Sequence, residues 1–305
     1  MKNTLSTLAA GLLLTLTACA PQPRDIAYDL PDGEVRLLSF NIRQSGLAEK
    51  DGPDRWEKRR EATLNLFERE TPSVVGIQEG LIDQVRYIER NCPQYTRLGV
   101  GRDDGREGGE IMAIFYRSDR FEAVEWGTFW LSDTPGEVSR GWDAACNRTV
   151  TWARLREKAT GGEFYYLNTH FDHQGEEARR RSALQIAGFV RDSIPADAAV
   201  VVGGDLNSGI DDPIFDPMKE VLEVGREVAD PTDRSGTFNA FGAAPGTIVI
   251  DHIFCRGVAA PALETLRGDY GAPFISDHYP VAFTFRLPGT VSDAPAAAKD
   301  SLQRR

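Results

Sequence analysis

Apolar positions recur along this chain with two periods. Short runs such as EVRLLSFNIR, PSVVGIQEG, GEIMAIFYR, NRTVTWARL, EFYYLNTHFDH, VVVGGDLNS, GTIVIDHIF and PFISDHYPVAFTF are rich in β-branched and aromatic residues. They lie between turn-forming residues, which predicts strands. Three longer segments carry a helical period instead. PDRWEKRREATLNLFERE starts at Pro53 and Asp54 and spaces Trp56, Leu64 and Phe67 for one face. LIDQVRYIERN follows Glu79 at once, and GEEARRRSALQIAGFVRDSI is expected to point Leu184, Ile186, Ala187 and Val190 inward. Helices interrupt the strands without strict alternation, so the pattern predicts an α/β (α+β) fold with mixed or antiparallel sheets and helices outside them.

The strands share a second feature, which is polar chemistry at their ends. VVVGGDLNS is apolar enough to be buried on both faces, and it delivers Asp205 and Asn207. Asn41, Glu79 and Asp251 stand where other strands stop, Glu110 and Arg148 where two begin, and Asp277 and His278 open the last. EFYYLNTHFDH runs into Asn168, His170 and Asp172. One strand-end Asp or Asn usually caps a turn. The whole set argues for more, because all four histidines, His170, His173, His252 and His278, sit in polar clusters that contain an aspartate. Asn41, Glu79 and Asp277 offer hard oxygen ligands of the kind Mg²⁺ or Mn²⁺ prefers. Histidines beside carboxylates suit contacts to a phosphoryl group and proton traffic near neutral pH. Asp205, held by Asn207, is placed to orient and deprotonate a water. The chemistry is phosphoester hydrolysis.

SFNIR, GIQEG, NTHFDH, GGDLNS, IDHIF and ISDHYP, in that order, resemble the motifs of the endonuclease/exonuclease/phosphatase superfamily. Within it the chain looks most similar to bacterial hydrolases distantly related to the nocturnin-like deadenylases. The resemblance spans about Glu34 to Leu287 and implies a four-layered sandwich of two mostly antiparallel sheets flanked by helices, as in pancreatic-type DNase. It also implies roles. Asn41, Glu79 and Asp277 would hold the metal. His170 would contact the scissile phosphate, oriented by Glu110. Asp205 and Asn207 would bind and activate water. Asp251 would pair with His278, and Arg148 would contact phosphate. His252, facing the other side of its strand, reads as structural.

The two ends differ from the middle. Residues 1–18 form a secretion signal, and LTAC resembles the bacterial lipobox, which implies lipid attachment at Cys19. The expected protein is therefore an outer-membrane lipoprotein of the cell envelope, a monomer touching the membrane through its lipid alone. Residues 19–33 read as a flexible tether, 34–287 as the catalytic domain and 288–305 as a disordered tail. Cys92, Cys146 and Cys255 allow one disulfide plus a free thiol in that compartment. The net charge of −11 disfavours indiscriminate nucleic-acid binding. The expected substrate is thus a small molecule, phosphorylated glycan or lipid head group, with a secreted nuclease as the alternative and a non-catalytic binding lipoprotein as a remote one. Trp126, Phe129, Trp130 and Trp142, in a long insertion, are candidates for the mouth of the site, as are Phe238 and Phe241.

Overall fold

A computed structural model describes residues 30–289. The segments expected to be a secretion signal (1–18), a lipidation site (Cys19), most of a tether (20–29) and most of a tail (290–305) lie outside the described residues. The folded body begins before Glu34. Gly33 is buried, its N–H donates to Glu157 Oε2 at 2.7 Å, and its carbonyl accepts from Leu287.

Twelve strands follow in chain order: β1 (Glu34–Asn41), β2 (Val74–Gln78), β3 (Tyr95–Leu98), β4 (Ile114–Arg117), β5 (Phe121–Trp130), β6 (Thr149–Glu157), β7 (Glu163–His170), β8 (Ala199–Asp205), β9 (Glu223–Val224), β10 (Asp251–Arg256), β11 (Ala259–Thr265) and β12 (Val281–Arg286). They form two six-stranded sheets, ordered β11-β12-β1-β2-β4-β3 and β5-β6-β7-β8-β10-β9. Two pairings are parallel, β1 with β2 and β7 with β8, and the others are antiparallel. A parallel pair needs a crossover, and helices provide both. Helix α1 (Trp56–Glu70) joins β1 to β2, α2 (Ile82–Asn91) follows β2, and α3 (Glu176–Ser193) joins β7 to β8.

The central strands separate three apolar layers, which explains their unbroken hydrophobicity. Val35, Leu37, Phe164, Tyr166, Val201 and Phe283 pack between the sheets. Leu38, Phe40, Val75 and Ile77 face α1 and α2 through Leu66, Phe67 and Val85. Leu167, Val200 and Val202 face α3 through Ala183, Ile186 and Val190. The sheets approach so closely that a Cβ at Gly76 would lie 1.9 Å from the Tyr166 hydroxyl oxygen. Near the functional end, buried Asn168 links the sheets: its amide donates to Ile77 O and Ala113 O, both at 2.9 Å.

Four expectations shift. Leu184 is exposed, because the inward stripe of α3 runs through Ala183, Ile186, Ala187 and Val190. Leu64 is half-buried, and Leu66 takes the core position beside Phe67. Cys92, Cys146 and Cys255 are all free thiols, with Cys92 and Cys255 in separate cores. Glu110 does not begin a strand: β4 starts at Ile114, and neighbouring Ile111 bridges Gly80 and Gly101, which carries Glu110 alongside Glu79.

Candidate active site

Strand register assembles the centre. His170 ends β7 and pairs with Asp205 at the end of β8, which pairs with Asp251 at the start of β10. The other sheet brings Asn41 at the end of β1, Glu79 after β2, and Asp277 and His278 ahead of β12. Gly204 lets the strands meet here, since a Cβ on it would lie 1.9 Å from Thr169 O. Arg43, Glu79 and Asn207 all hold left-handed backbone, with φ of 56°, 60° and 51°. Such a conformation costs a residue with a side chain about 1–2 kcal/mol, and clusters of it belong to sites whose geometry the fold imposes.

Asp205 is the hub. Its Oδ1 accepts the Asn207 N–H at 3.0 Å. Its Oδ2 accepts Asn41 Nδ2 at 3.0 Å and lies 3.3 Å from His170 Nε2 and 3.6 Å from His278 Nε2. Burial raises its pKa, against the pull of both histidines. The carboxylate is thus anchored in place yet basic for its type.

The two histidines are held in opposite states. His278 Nδ1 bonds Asp251 Oδ2 at 2.8 Å. Burial opposes its charge, but Asp251 and Asp205 outweigh burial and push its pKa up to about 10, so it is an imidazolium. For His170, burial and the neighbouring Arg148 charge prevail, and the pKa falls to about 4. Asn207 Nδ2, fixed by its bond to Phe171 O, lies 3.0 Å from His170 Nε2. In the neutral ring that nitrogen accepts, which leaves the proton on Nδ1, facing Glu110 Oε2 at 3.7 Å.

At the other sheet, Glu79 Oε1 accepts Asn41 Nδ2 at 3.1 Å and Oε2 accepts the Gln44 N–H at 3.2 Å. Burial lifts the Asp277 pKa, and the nearby Glu79 charge adds to it against His278 and Arg43. Glu79 and Asp277, close enough for their charges to interact, suit a hard divalent cation, with Asn41 beside them turning Nδ2 to Glu79 while its Oδ1 accepts the Arg43 N–H at 3.0 Å. Compact His/Cys/carboxylate groupings, Asp205–Asp251–His278 and Cys146–Asp172–His173, also bring ligand atoms within 4.8 Å of one another. Internal partners already engage both. His278 is bound to Asp251, and Arg148 reaches Asp172 Oδ2 (3.2 Å) and His173 Nδ1 (3.0 Å).

Arg148 is buried behind the phosphate corner, its Nη1 4.0 Å from Glu110 Oε2. Asp172 holds it while also accepting the N–H groups of Gln174 (3.0 Å) and Gly175 (2.8 Å), so one carboxylate both caps a turn and orients the arginine. Arg180 and Arg181 pair with Glu177 on the surface of α3, whereas Arg179 binds the Asp172 carbonyl. His252 is buried on the opposite side of β10, bonded to Ser208 O at 2.8 Å.

These groups line one cavity of about 980 Å³. Asn41 and Asp251 support it from behind, while Glu79, Glu110, Arg148, His170, Asp205, Asn207, Asp277 and His278 all reach it. Three further cavity residues were missed in the sequence. Arg43, inside SFNIR, grips Asp51 and reaches Asp277 Oδ2 at 3.3 Å. Arg102 donates to Glu110 Oε2 at 2.5 Å, and Gln44 Nε2 donates to Glu110 Oε1 at 3.3 Å. Arg43 was legible as a cation beside a strand-end Asn, whereas Arg102 comes from a loop with no periodic signal. The end of the long insertion lines the cavity through Ala145 and Cys146, but its aromatic residues do not. Trp130 is buried with Nε1 on Arg102 O at 2.7 Å, and Phe129 packs on Phe189. Phe238 and Phe241 do line it.

Residues 38–278 match the Endonuclease/Exonuclease/phosphatase family. The chain is similar to an endonuclease/exonuclease/phosphatase from Bacteroides vulgatus, with 34% identity, a TM-score of 0.76, and coverage of 83% of this chain and 99% of that one. A mannosyl-6-phosphatase from Bacteroides thetaiotaomicron is 31% identical with a TM-score of 0.74, over 83% of this chain and 100% of its own. Nocturnin of Drosophila melanogaster is 23% identical over 220 residues, covering 65% of this chain and 33% of that protein. The strand-end carboxylates and imidazoles are thus set in a frame shared across the matched length, and the chain belongs to the Endonuclease/Exonuclease/phosphatase family of divalent-metal-dependent phosphoester hydrolases.

Proposed function

We propose that the protein is a Mg²⁺-dependent hydrolase that cleaves a phosphoester on a small substrate, working as a lipid-anchored monomer of the cell envelope. The observation that carries this reading is the single cavity of about 980 Å³ with its phosphate-handling groups gathered at one end. That size fits a small molecule. The acidic balance and the likeness to a mannosyl-6-phosphatase point the same way.

In this reading Glu79 and Asp277, with Asn41 beside them, would hold the cation, whose charge would offset that on the phosphoryl oxygens. Asp205, steadied by Asn207, accepts a proton as water oxygen forms its bond to phosphorus and the bond to the leaving oxygen breaks. His278, kept cationic by Asp251, donates Nε2–H to a phosphoryl oxygen. Neutral His170, held by Asn207 on Nε2 and with Glu110 Oε2 3.7 Å from Nδ1, shapes the same pocket. Arg148 and Arg102 add positive field from behind Glu110.

The test is turnover of p-nitrophenyl phosphate, bis-p-nitrophenyl phosphate, sugar phosphates, plasmid DNA and poly(A), with Mg²⁺ and with EDTA. Small esters are expected to turn over, EDTA to abolish the activity and Mg²⁺ to restore it. Polymer cleavage without small-ester turnover would replace this reading with the nuclease one.

A further inference from the structure

A phosphoryl group fills a small part of the cavity, so the remainder must receive the alcohol half of the ester. One stretch of its wall is apolar and begins beside His278. The Phe238 ring packs edge-on against His278 at 5.0 Å, and Ile250, Ile248, Ala240 and Phe241 continue the surface. This rim is tied to the phosphate end. The N–H groups of Asn239 and Ala240 both donate to Asp277 O, at 2.8 and 3.1 Å, and Tyr279 N–H donates to Thr237 O at 2.7 Å.

The rim is also strained. Ala240 and Phe241 hold consecutive left-handed conformations, with φ of 47° and 54°. A bulky residue adopts that backbone only where its surroundings impose it. The Asn239 side chain imposes it here by accepting the Phe241 N–H at 2.8 Å. The result is a half-buried phenyl ring presented to the cavity. Beside it stands Asp54, which also lines the cavity and shares one anchor with Phe241. Arg59 donates Nε–H to Asp54 O at 2.8 Å, and its guanidinium lies 5.8 Å from the Phe241 ring.

We infer that Phe238, Phe241 and Asp54 form the subsite for the alcohol, and that this alcohol is a neutral sugar ring, so the substrate is a pyranose phosphomonoester. A pyranose has an apolar C–H face for the aromatic wall and a hydroxyl edge that donates to a carboxylate. A nucleic-acid strand would bring further phosphates past Asp54, where a carboxylate is unfavourable. The inference rests on the small-phosphoester reading above and goes further by naming the leaving group and the residues that select it.

The experiment compares kcat/KM of the full chain for glucose 6-phosphate and mannose 6-phosphate with that for glycerol phosphate, with adenosine monophosphate as the ring-bearing control. The better hexose phosphate is expected to exceed glycerol phosphate and the nucleotide at least tenfold. Phe241→Ala should cut the hexose-to-glycerol ratio about tenfold, the equivalent of one aromatic contact of about 1.4 kcal/mol. Phe241→Tyr should restore most of it. Asp54→Asn should raise KM for the hexose phosphate about fivefold with little change in kcat, a carboxylate–hydroxyl bond being worth about 1–2 kcal/mol. If hexose and glycerol phosphates are turned over equally well, or Phe241→Ala and Asp54→Asn leave the ratio unmoved, the subsite is wrong while the small-ester reading stands. A preference for the nucleotide overturns the sugar assignment. Failure on all these monoesters removes the sugar assignment, and the small-ester reading falls with it only if p-nitrophenyl and bis-p-nitrophenyl phosphates also go uncleaved.

Discussion

The floor of the cavity and its rim are built by different means. The floor is made of strand ends, where His170, Asp205 and Asp251 sit side by side because β7 and β8 end, and β10 begins, in register. The rim is made of loops, in which Phe241 is held by an unfavourable backbone and a few side-chain bonds. Strand ends are rigid because every residue behind them is paired and buried, so they suit chemistry that tolerates little displacement. Loops vary without disturbing that core, so they suit the choice of substrate.

The sharpest way to break this contrast is to truncate the floor. Asp205→Ala and His278→Ala should each lower kcat by about 10³ or more, since each removes a group acting on the transition state. Circular dichroism should show both folded. Near-normal turnover in either would mean that the centre is placed wrongly.

A smaller effect is expected at Asp172, which supports the floor without reaching the reacting atoms. Burial alone would raise its pKa, yet the N–H groups of Gly175, Gln174 and Ala145 and the charge on Arg148 hold it well below the usual carboxylate range. A depressed folded-state pKa adds stability above the unfolded value of about 4, and that stability is lost as pH falls through the folded one. Asp172→Asn should therefore lower Tm by about 5 °C at pH 7. The gap to wild type should narrow progressively below about pH 4, and a gap that stays constant down to pH 2 would refute the assignment.

The smallest effect belongs to the aromatic insertion. Trp126 is 45% exposed and remote from the cavity lining. Trp126→Ala should change kcat/KM for sugar phosphates by less than about twofold, as surface substitutions away from a site do. A larger loss would put the insertion back at the mouth.

This gradient matches what could be read from residue order. GGDLNS and ISDHYP announce Asp205, Asn207, Asp277 and His278 because a continuous apolar run with polar groups at one end has one buried body and one functional tip. The helices were equally plain, although Leu184 beside buried Ala183 and Leu64 two places before buried Leu66 show that an apolar stripe can be misplaced by one or two positions, each about 100° of rotation. Trp130 misled for a different reason. Nothing in its neighbours distinguishes an aromatic that lines a site from one that buttresses Arg102 from behind.

By itself, the sequence determined eight of the twelve strands and the chemical inventory at their tips, because apolar runs and turn residues act over a few positions. β3, β5, β9 and β11 were not legible, and most of β5 read as an insertion. Only the tertiary structure decided that His278 is charged and His170 neutral, since that difference comes from Asp251 on one side and Arg148 on the other. Likewise only the folded chain set Phe241 rather than Trp130 against the cavity. Electrostatics and exposure depend on what lies across space, and residues such as Arg59 and Asp277 meet after a separation in sequence that no local pattern spans.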